Sequence, residues 1–213
     1  MPLHSTPVTV ETSSDSPTLD ETNPMFLESP EKPELISLAK RFLLSRNGFG
    51  ADPDLLSPSF KFVAPVVGPL SKDAFVNAIG SVDVAGGFPD FKPEFYGFHV
   101  DPLKPDRVWY VAKGEGTNTG PLPPFAPQPT GKRVVNPPQM CSLTFDESTG
   151  LVTKYTIGYV VDREVGNTGG LGGLYGLLYA IGRGLPFPEA QPWKMSPQYK
   201  VFNKVGQILQ NLQ

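Results

Sequence analysis

The chain has 213 residues, of which 39% are hydrophobic, 25 are proline and 22 are glycine, and its formal net charge is −3. This length fits one domain with appendages, and the formal charge predicts no strong attraction of the whole chain to nucleic acid or to an anionic membrane. The single cysteine, Cys141, excludes an internal disulfide. Because it lies in an apolar run, we expect a buried structural thiol rather than a nucleophile.

The N-terminal segment, residues 1–33, is acidic and rich in Ser, Thr and Pro, with few large apolar side chains. Such a segment cannot bury enough surface to offset its ordering entropy, so we predict a disordered leader. It lacks a basic stretch followed by an apolar one, so no secretory signal is evident and a soluble intracellular protein is favoured. No run of the sequence is long and apolar enough to predict a transmembrane segment.

Two helices are predicted before most of the strands. Apolar residues spaced three or four apart predict a helix over residues 34–47. Ser71 can cap a second helix that buries Phe75, and residues 60–63 predict a short strand between the two helices.

A succession of strands follows the second helix. Aromatic and alternating segments predict strands, and the polar turn at residues 146–150 predicts that the last two form a hairpin. The predicted strands are residues 95–100, 107–115, 133–145 and 151–161. Helices followed by antiparallel strands are an α+β pattern, which predicts a curved antiparallel sheet wrapped around the N-terminal helices, with one concave apolar face.

The C-terminal segment differs from the rest of the chain in composition. Residues 169–182 are apolar but rich in glycine and match neither a stable helix in solvent nor a strand. Residues 196–212 predict an amphipathic helix. Three roles stay open for the glycine-rich segment: closing the open end of the sheet, packing on a partner, or touching a membrane surface. A peripheral or protein contact through residues 169–187 is therefore one expectation.

Three short motifs occur in fixed order: Phe88-Pro89-Asp90, Gly116-Thr117-Asn118-Thr119-Gly120 and Pro129-Thr130-Gly131-Lys132. Together with the strand order and Asp162 near the end of the last strand, they resemble the SnoaL-like polyketide-cyclase branch of the nuclear-transport-factor-2-like superfamily. The resemblance covers roughly residues 34–165. It is specific for the fold but not for the function, because this superfamily hosts cyclases, dehydratases, isomerases, hydrolases and non-catalytic binders.

The resemblance implies a cone-shaped domain over residues 34–165, preceded by the leader at residues 1–33 and followed by an extension at residues 166–213. Members often form dimers through the outer face of the sheet, so a homodimer is an expectation. They often work without a cofactor, and the sequence contains no His and Cys cluster for a metal. We therefore expect neither a cofactor nor a metal.

The resemblance also implies a catalytic group. Asp162 matches the residue that acts as general acid and base on an enolisable polyketide, and partial burial would raise its pKa toward neutrality. Asn118 stands where relatives usually have His, and its amide can donate a hydrogen bond but cannot titrate. Asn118, or else Lys113, would polarise the substrate carbonyl. Alternatively, Asp162 pairs with Arg163 or caps the next turn.

Further residues are candidates for a ligand pocket. Asp90 is either a polar group at the pocket rim or a turn-fixing side chain. Lys113 and Glu115 share a strand face with Trp109, and Thr117 continues it, so this face is either the pocket or a solvated surface. For the apolar candidates the alternative is ordinary core packing. The predicted ligand-binding residues are Phe60, Phe62, Phe75, Asp90, Trp109, Glu115, Thr117, Met140 and Tyr159.

Two functions follow from these observations. The first is a cofactor-independent isomerase, cyclase or dehydratase acting by proton transfer on a small apolar carbonyl-bearing molecule. The second is a non-catalytic module that binds a hydrophobic ligand or a protein with the same fold. An enclosed cavity with Asp162 pointing into it favours the enzyme, whereas a cone filled by aromatic side chains favours the module.

Overall fold

The computed structural model describes residues 27–45 and 52–210. The disorder predicted for residues 1–26 and the end of the first helix at Asn47 lie outside the described residues. In chain order the elements are α1 (Pro33–Leu44), a 3-10 turn (Pro53–Leu55), β1 (Leu56–Val63), β2 (Leu70–Ser71), α2 (Lys72–Gly80), α3 (Val84–Gly87), β3 (Lys92–Asp101), β4 (Lys104–Thr117), β5 (Arg133–Phe145), β6 (Val152–Val160), α4 (Gly173–Ala180), a second 3-10 turn (Pro188–Ala190) and α5 (Pro197–Gln210).

The six strands form one sheet in the order β2-β1-β6-β5-β4-β3. β1 runs parallel to β6, and every other neighbouring pair is antiparallel. The register shifts between Ala112 and Gly114 of β4, as at a β-bulge, and such irregularities bend strands and increase their twist. The predicted α+β class with a curved sheet is confirmed, although the sheet is mixed rather than purely antiparallel.

Helices α1 and α2 pack on the concave face of this sheet. Each contributes an apolar stripe, which reaches Phe42 in α1 and Phe75 in α2. Ser71 caps α2 as predicted, because its hydroxyl accepts a hydrogen bond from the Ala74 N–H. We call the resulting cluster the inner core; its buried members are Leu35, Ala39, Phe42, Leu43, Leu56, Phe60, Phe62, Phe75, Val100, Val108, Tyr110, Cys141, Leu143, Phe145, Val152 and Tyr155.

A second apolar cluster lies where β5 begins, and we call it the end core. Its buried members are Phe88, Leu122, Ala126, Val134, Leu177, Leu178 and Ile181. Contrary to the expectation for residues 169–182, part of this segment is a helix, α4. It needs no polar face because it is packed against β5 rather than exposed to solvent.

The last residues of the predicted leader are held against the domain. The Val100 N–H of β3 donates to the Ser29 hydroxyl, which in turn donates to the Val100 carbonyl, at 3.0 and 2.8 Å. The Lys32 ammonium lies 2.7 Å from the Glu147 carboxylate. Residues 27–32 therefore differ from the disorder predicted for the whole leader.

Candidate functional site

The concave face of the sheet is occupied by aromatic side chains. The rings of Phe60 and Phe62 on β1 lie 5.1 and 4.8 Å from the Phe75 ring of α2. The Phe62 ring also lies 5.5 Å from the Tyr155 ring of β6. Aromatic rings at these separations stabilise one another beyond their burial. Three of the predicted pocket-lining residues thus belong to a packed core, as the core-packing alternative expects.

Three polar groups are enclosed in this inner core: the hydroxyls of Tyr110 and Tyr155 and the thiol of Cys141. Burial raises the pKa of both tyrosines and raises the pKa of the Cys141 thiol to about 12. All three therefore keep their protons at neutral pH. The Tyr110 hydroxyl interacts electrostatically with the other two but makes no well-formed hydrogen bond within the described residues.

The face of β4 that carries Tyr110 is the concave one. Alternation along the strand separates Tyr110 and Val108 from Trp109, and the Trp109 face is the one that the sequence assigns to a possible pocket. Trp109 instead donates its indole N–H to the Asp101 carboxylate at 2.8 Å, on the other face of the sheet. In the sequence, the available signal for the inward face was the pair Val108 and Tyr110, which lie two residues apart in an apolar strand and therefore on the same face.

Lys113 and Glu115 lie at the surface in ion pairs. The Lys113 ammonium is 2.7 Å from the Glu94 carboxylate, whose hydrogen bond raises the pKa of Lys113. The Glu115 carboxylate is 2.6 Å from the Arg133 guanidinium. This geometry favours the solvated-surface alternative for both residues. A catalytic role for Lys113 stays a prediction.

Asn118 is fully buried, and its side-chain hydrogen bonds connect separate segments of the chain. Its amide nitrogen donates to the carbonyls of Gly87 and Gly120, both at 3.0 Å. Its amide oxygen accepts hydrogen bonds from the Thr130 N–H and hydroxyl at 2.8 and 2.9 Å. Because both amide donors and the oxygen are engaged, Asn118 has little capacity left for a ligand. It joins the second and third sequence motifs to the segment just before the first.

Asp90 completes the link between the motifs. Its carboxylate accepts a hydrogen bond from the Thr117 N–H at 2.7 Å, and this bond lowers the pKa of Asp90. A small open depression of about 120 Å³ borders both residues and the Glu115–Arg133 pair. It brings three predicted ligand-binding residues together, Asp90, Glu115 and Thr117.

Asp162 lies in an exposed turn after β6. Its carboxylate accepts a hydrogen bond from the Glu164 N–H at 2.9 Å, which matches the turn-capping alternative. Tyr159 is 73% exposed, and Met140 is half-buried on the Trp109 face of the sheet, opposite Val111. The structure therefore does not bring Asp162 beside the inner core. Its catalytic role stays a prediction.

A wider depression of about 630 Å³ lies at the far end of β5, open to solvent. It is lined by Lys32, Pro105, Asp106, Phe145, Asp146 and Glu147. Within residues 27–45 and 52–210, no group of three or more His, Cys, Asp or Glu side chains is arranged to hold a metal ion. In the same ranges no helix has the length and apolarity needed to cross a membrane.

No protein-family model matches the chain, and neither does any curated protein. Solved structures do. AclR from Streptomyces galilaeus, provisionally called a hydroxylase, is 20% identical, covers 74% of this chain and 89% of its own, and gives a TM-score of 0.51. A provisionally assigned SnoaL-like polyketide cyclase from a Jannaschia species is 19% identical, with 61% and 88% covered and a TM-score of 0.46. The pinacolase BvnE from Penicillium brevicompactum is 15% identical, with 60% and 83% covered and a TM-score of 0.45.

The similarity to AclR extends over most of both chains and concerns the fold alone, since the identity is low. The chain therefore shares with AclR a fold in which helices pack on a curved mixed sheet, as the predicted α+β class expects.

Proposed function

We propose that this chain is a non-catalytic interaction module built on the cone fold. One observation carries the proposal. The interior of the cone is filled by the chain's own aromatic side chains, whereas a large apolar surface lies outside it, on α5. A fold that usually encloses a ligand would here serve as a rigid support for an exposed helix.

The positions of the predicted catalytic groups support this proposal. Proton transfer requires an acid or base within hydrogen-bond reach of the reacting atom and a pKa near the working pH. Asp162 lies in an exposed turn, Lys113 is paired with Glu94, and the Asn118 amide is engaged on both sides. Burial raises the pKa of Tyr110 inside the cone, so its hydroxyl stays protonated near neutral pH and cannot serve as a general base.

An acid/base enzyme acting on a small apolar carbonyl-bearing molecule is the second candidate. The observation that favours it is the buried Tyr110 hydroxyl, which lies beside the Tyr155 hydroxyl and the Cys141 thiol but makes no well-formed hydrogen bond within the described residues. A protonated hydroxyl in an apolar site can donate to a carbonyl oxygen and stabilise developing negative charge.

Exchange of ketone α-protons in deuterium oxide tests the enzyme candidate, because an enolising base that exchanges its proton with solvent places deuterium at the α-carbon. The full chain would be incubated with a panel of small apolar ketones, and exchange followed by proton NMR. We expect no exchange above that of buffer. The comparison variants are Asp162→Asn and Tyr110→Phe, with Tyr96→Phe as the control because Tyr96 is 46% exposed.

Exchange that persists in Tyr96→Phe but is lost in Asp162→Asn or Tyr110→Phe would overturn the non-catalytic proposal. A general acid or base contributes on the order of 10²- to 10⁴-fold, so the loss would be easily measured. Thermal unfolding of each variant checks that the fold is intact, since Tyr110→Phe removes a hydroxyl without changing ring packing.

A further inference from the structure

Helix α5 carries the most exposed apolar stripe in the described part of the chain. None of its residues is buried. The stripe consists of five side chains, between 49% and 71% exposed: Val201, Phe202, Val205, Ile208 and Leu209. At 100° per residue these positions span an arc of roughly 120°, which is the width of a core-facing helix rather than of a narrow coiled-coil seam. A helix of this kind needs something to cover it.

The charge around α5 indicates what covers it. Lys200 and Lys204 lie on the polar side of the helix, Lys194 precedes it, and no Asp or Glu occurs between residues 190 and 213. Lysine side chains extend an aliphatic stem along an apolar surface while the ammonium reaches outward. A basic helix with a broad apolar face is typical of segments that lie in the plane of an anionic lipid surface.

The segment just before α5 also exposes large apolar side chains. Trp193 is 64% exposed and Met195 is 40% exposed. The Trp193 ring stacks against the Arg163 guanidinium, 5.3 Å from the ring centroid, so a further cation lies beside this ring. Tryptophan prefers the boundary between water and hydrocarbon because one edge of its ring is polar.

A second copy of the chain suits α5 less well. The helix has 14 residues, which is two heptads, whereas stable coiled coils extend over about three to four. The α5 helix also has no acidic residue that could pair with the lysines of a second copy. A lipid surface, in contrast, needs no matching register and supplies the negative charge.

We propose that α5, together with Trp193 and Met195, docks the molecule on an anionic lipid surface, with the apolar stripe inserted and the lysines at the headgroups. This proposal rests on the proposed function, since it names the partner of the interaction module. It does not require the cone to bind a ligand.

Co-sedimentation of the full chain with lipid vesicles tests the proposal. We expect binding to vesicles of phosphatidylcholine and phosphatidylserine, and much weaker binding to phosphatidylcholine alone. Phe202→Gln with Leu209→Gln should abolish binding. Lys200→Gln with Lys204→Gln should weaken vesicle binding about 30-fold, since each lysine near an anionic surface strengthens binding about 5-fold. The matched control is Gln207→Ala with Gln210→Ala, on the polar side, which should bind like the unmodified chain.

Absent binding, or equal binding to both vesicle types, would overturn the proposal. A dimer in sedimentation velocity that dissociates in the Phe202→Gln and Leu209→Gln variant would identify a second copy as the occupant instead. If α5 amides are protected from hydrogen exchange in the monomer, and this protection is lost in the Phe202→Gln and Leu209→Gln variant, a segment of the same chain would be identified as the occupant. Failure of vesicle binding with no ketone exchange would leave the proposed function standing, whereas ketone exchange would overturn that function whatever the vesicles show.

Discussion

Helices α4 and α5 lie close together in sequence and differ in almost every physical respect. α4 has no charged residue, contains two glycines and buries Gly176, Leu177 and Leu178 in the end core. α5 has the regular apolar stripe of a core-facing helix and buries nothing. The comparison shows that periodicity predicts where an apolar face will form, but does not say whether the same chain covers it.

Close approach of backbones explains why the less regular helix is the buried one. A Cβ atom added at Gly176 would lie 2.5 Å from the Leu171 carbonyl oxygen, so glycine is needed where α4 meets the preceding loop. At Gly206 of α5 an added Cβ would meet nothing within 4 Å. Glycine thus serves packing in α4, whereas in α5 it only weakens the helix.

Truncation of one large apolar side chain in each helix tests this contrast most strongly. Leu178 is fully buried, so Leu178→Ala should lower the free energy of unfolding by about 2–5 kcal/mol through lost burial and a residual cavity. Phe202 is 71% exposed, so Phe202→Ala should change it by less than about 0.5 kcal/mol. Urea unfolding followed by tryptophan fluorescence measures both. Similar losses in the two variants would mean that α5 is also covered within the monomer.

Alanine at the two glycines should change different properties: domain stability at Gly176 and helix content at Gly206. Gly176→Ala should destabilise the protein by about 1–3 kcal/mol, because the methyl group meets backbone that cannot move freely. Gly206→Ala should increase the helix content of α5, since alanine is favoured over glycine by about 1 kcal/mol in a helix interior. The unfolding midpoint of the domain should stay unchanged in that variant. Circular dichroism and thermal unfolding separate helix content from domain stability, and a stabilising Gly176→Ala would contradict the close contact.

The sequence predicts strands β3 to β6 well, because their signals are local, whereas β2 and the parallel pairing of β1 with β6 were not predicted. Alternating apolar residues and the Asp146–Gly150 turn place β5 and β6 correctly, and the hydrogen bond from the Gly150 N–H to the Asp146 carbonyl closes that turn. The α4 helix escapes prediction because a helix buried on several sides has no amphipathic period to detect. Its existence depends on the end core, which is assembled from segments distant in sequence.

The candidate site is predicted less well, for a related reason. Asn118 stands at the centre of the Gly116–Gly120 motif, but its hydrogen-bond partners come from three separate segments: Gly87, Gly120 and Thr130. No local sequence pattern predicts that both the nitrogen and the oxygen of this side-chain amide will be hydrogen-bonded. The choice between the Trp109 and Tyr110 faces of β4 likewise depends on which side the helices cover. The motifs therefore locate a structural corner, whereas the roles of individual side chains depend on the tertiary fold.

The smallest contrast concerns one hydroxyl beside each helix. Thr168 is fully buried and its hydroxyl donates to the Leu171 carbonyl at 2.7 Å, so Thr168→Val should cost about 0.5–1.5 kcal/mol of domain stability while preserving the shape of the side chain. The Ser196 hydroxyl accepts a hydrogen bond from the Tyr199 N–H at 3.1 Å and so caps α5. Ser196→Ala should lower the helix content of α5 and leave the unfolding midpoint unchanged, because α5 is not packed into either core. If the midpoint falls as much in Ser196→Ala as in Thr168→Val, α5 is coupled to the domain, and the exposed stripe would have to be covered within the molecule.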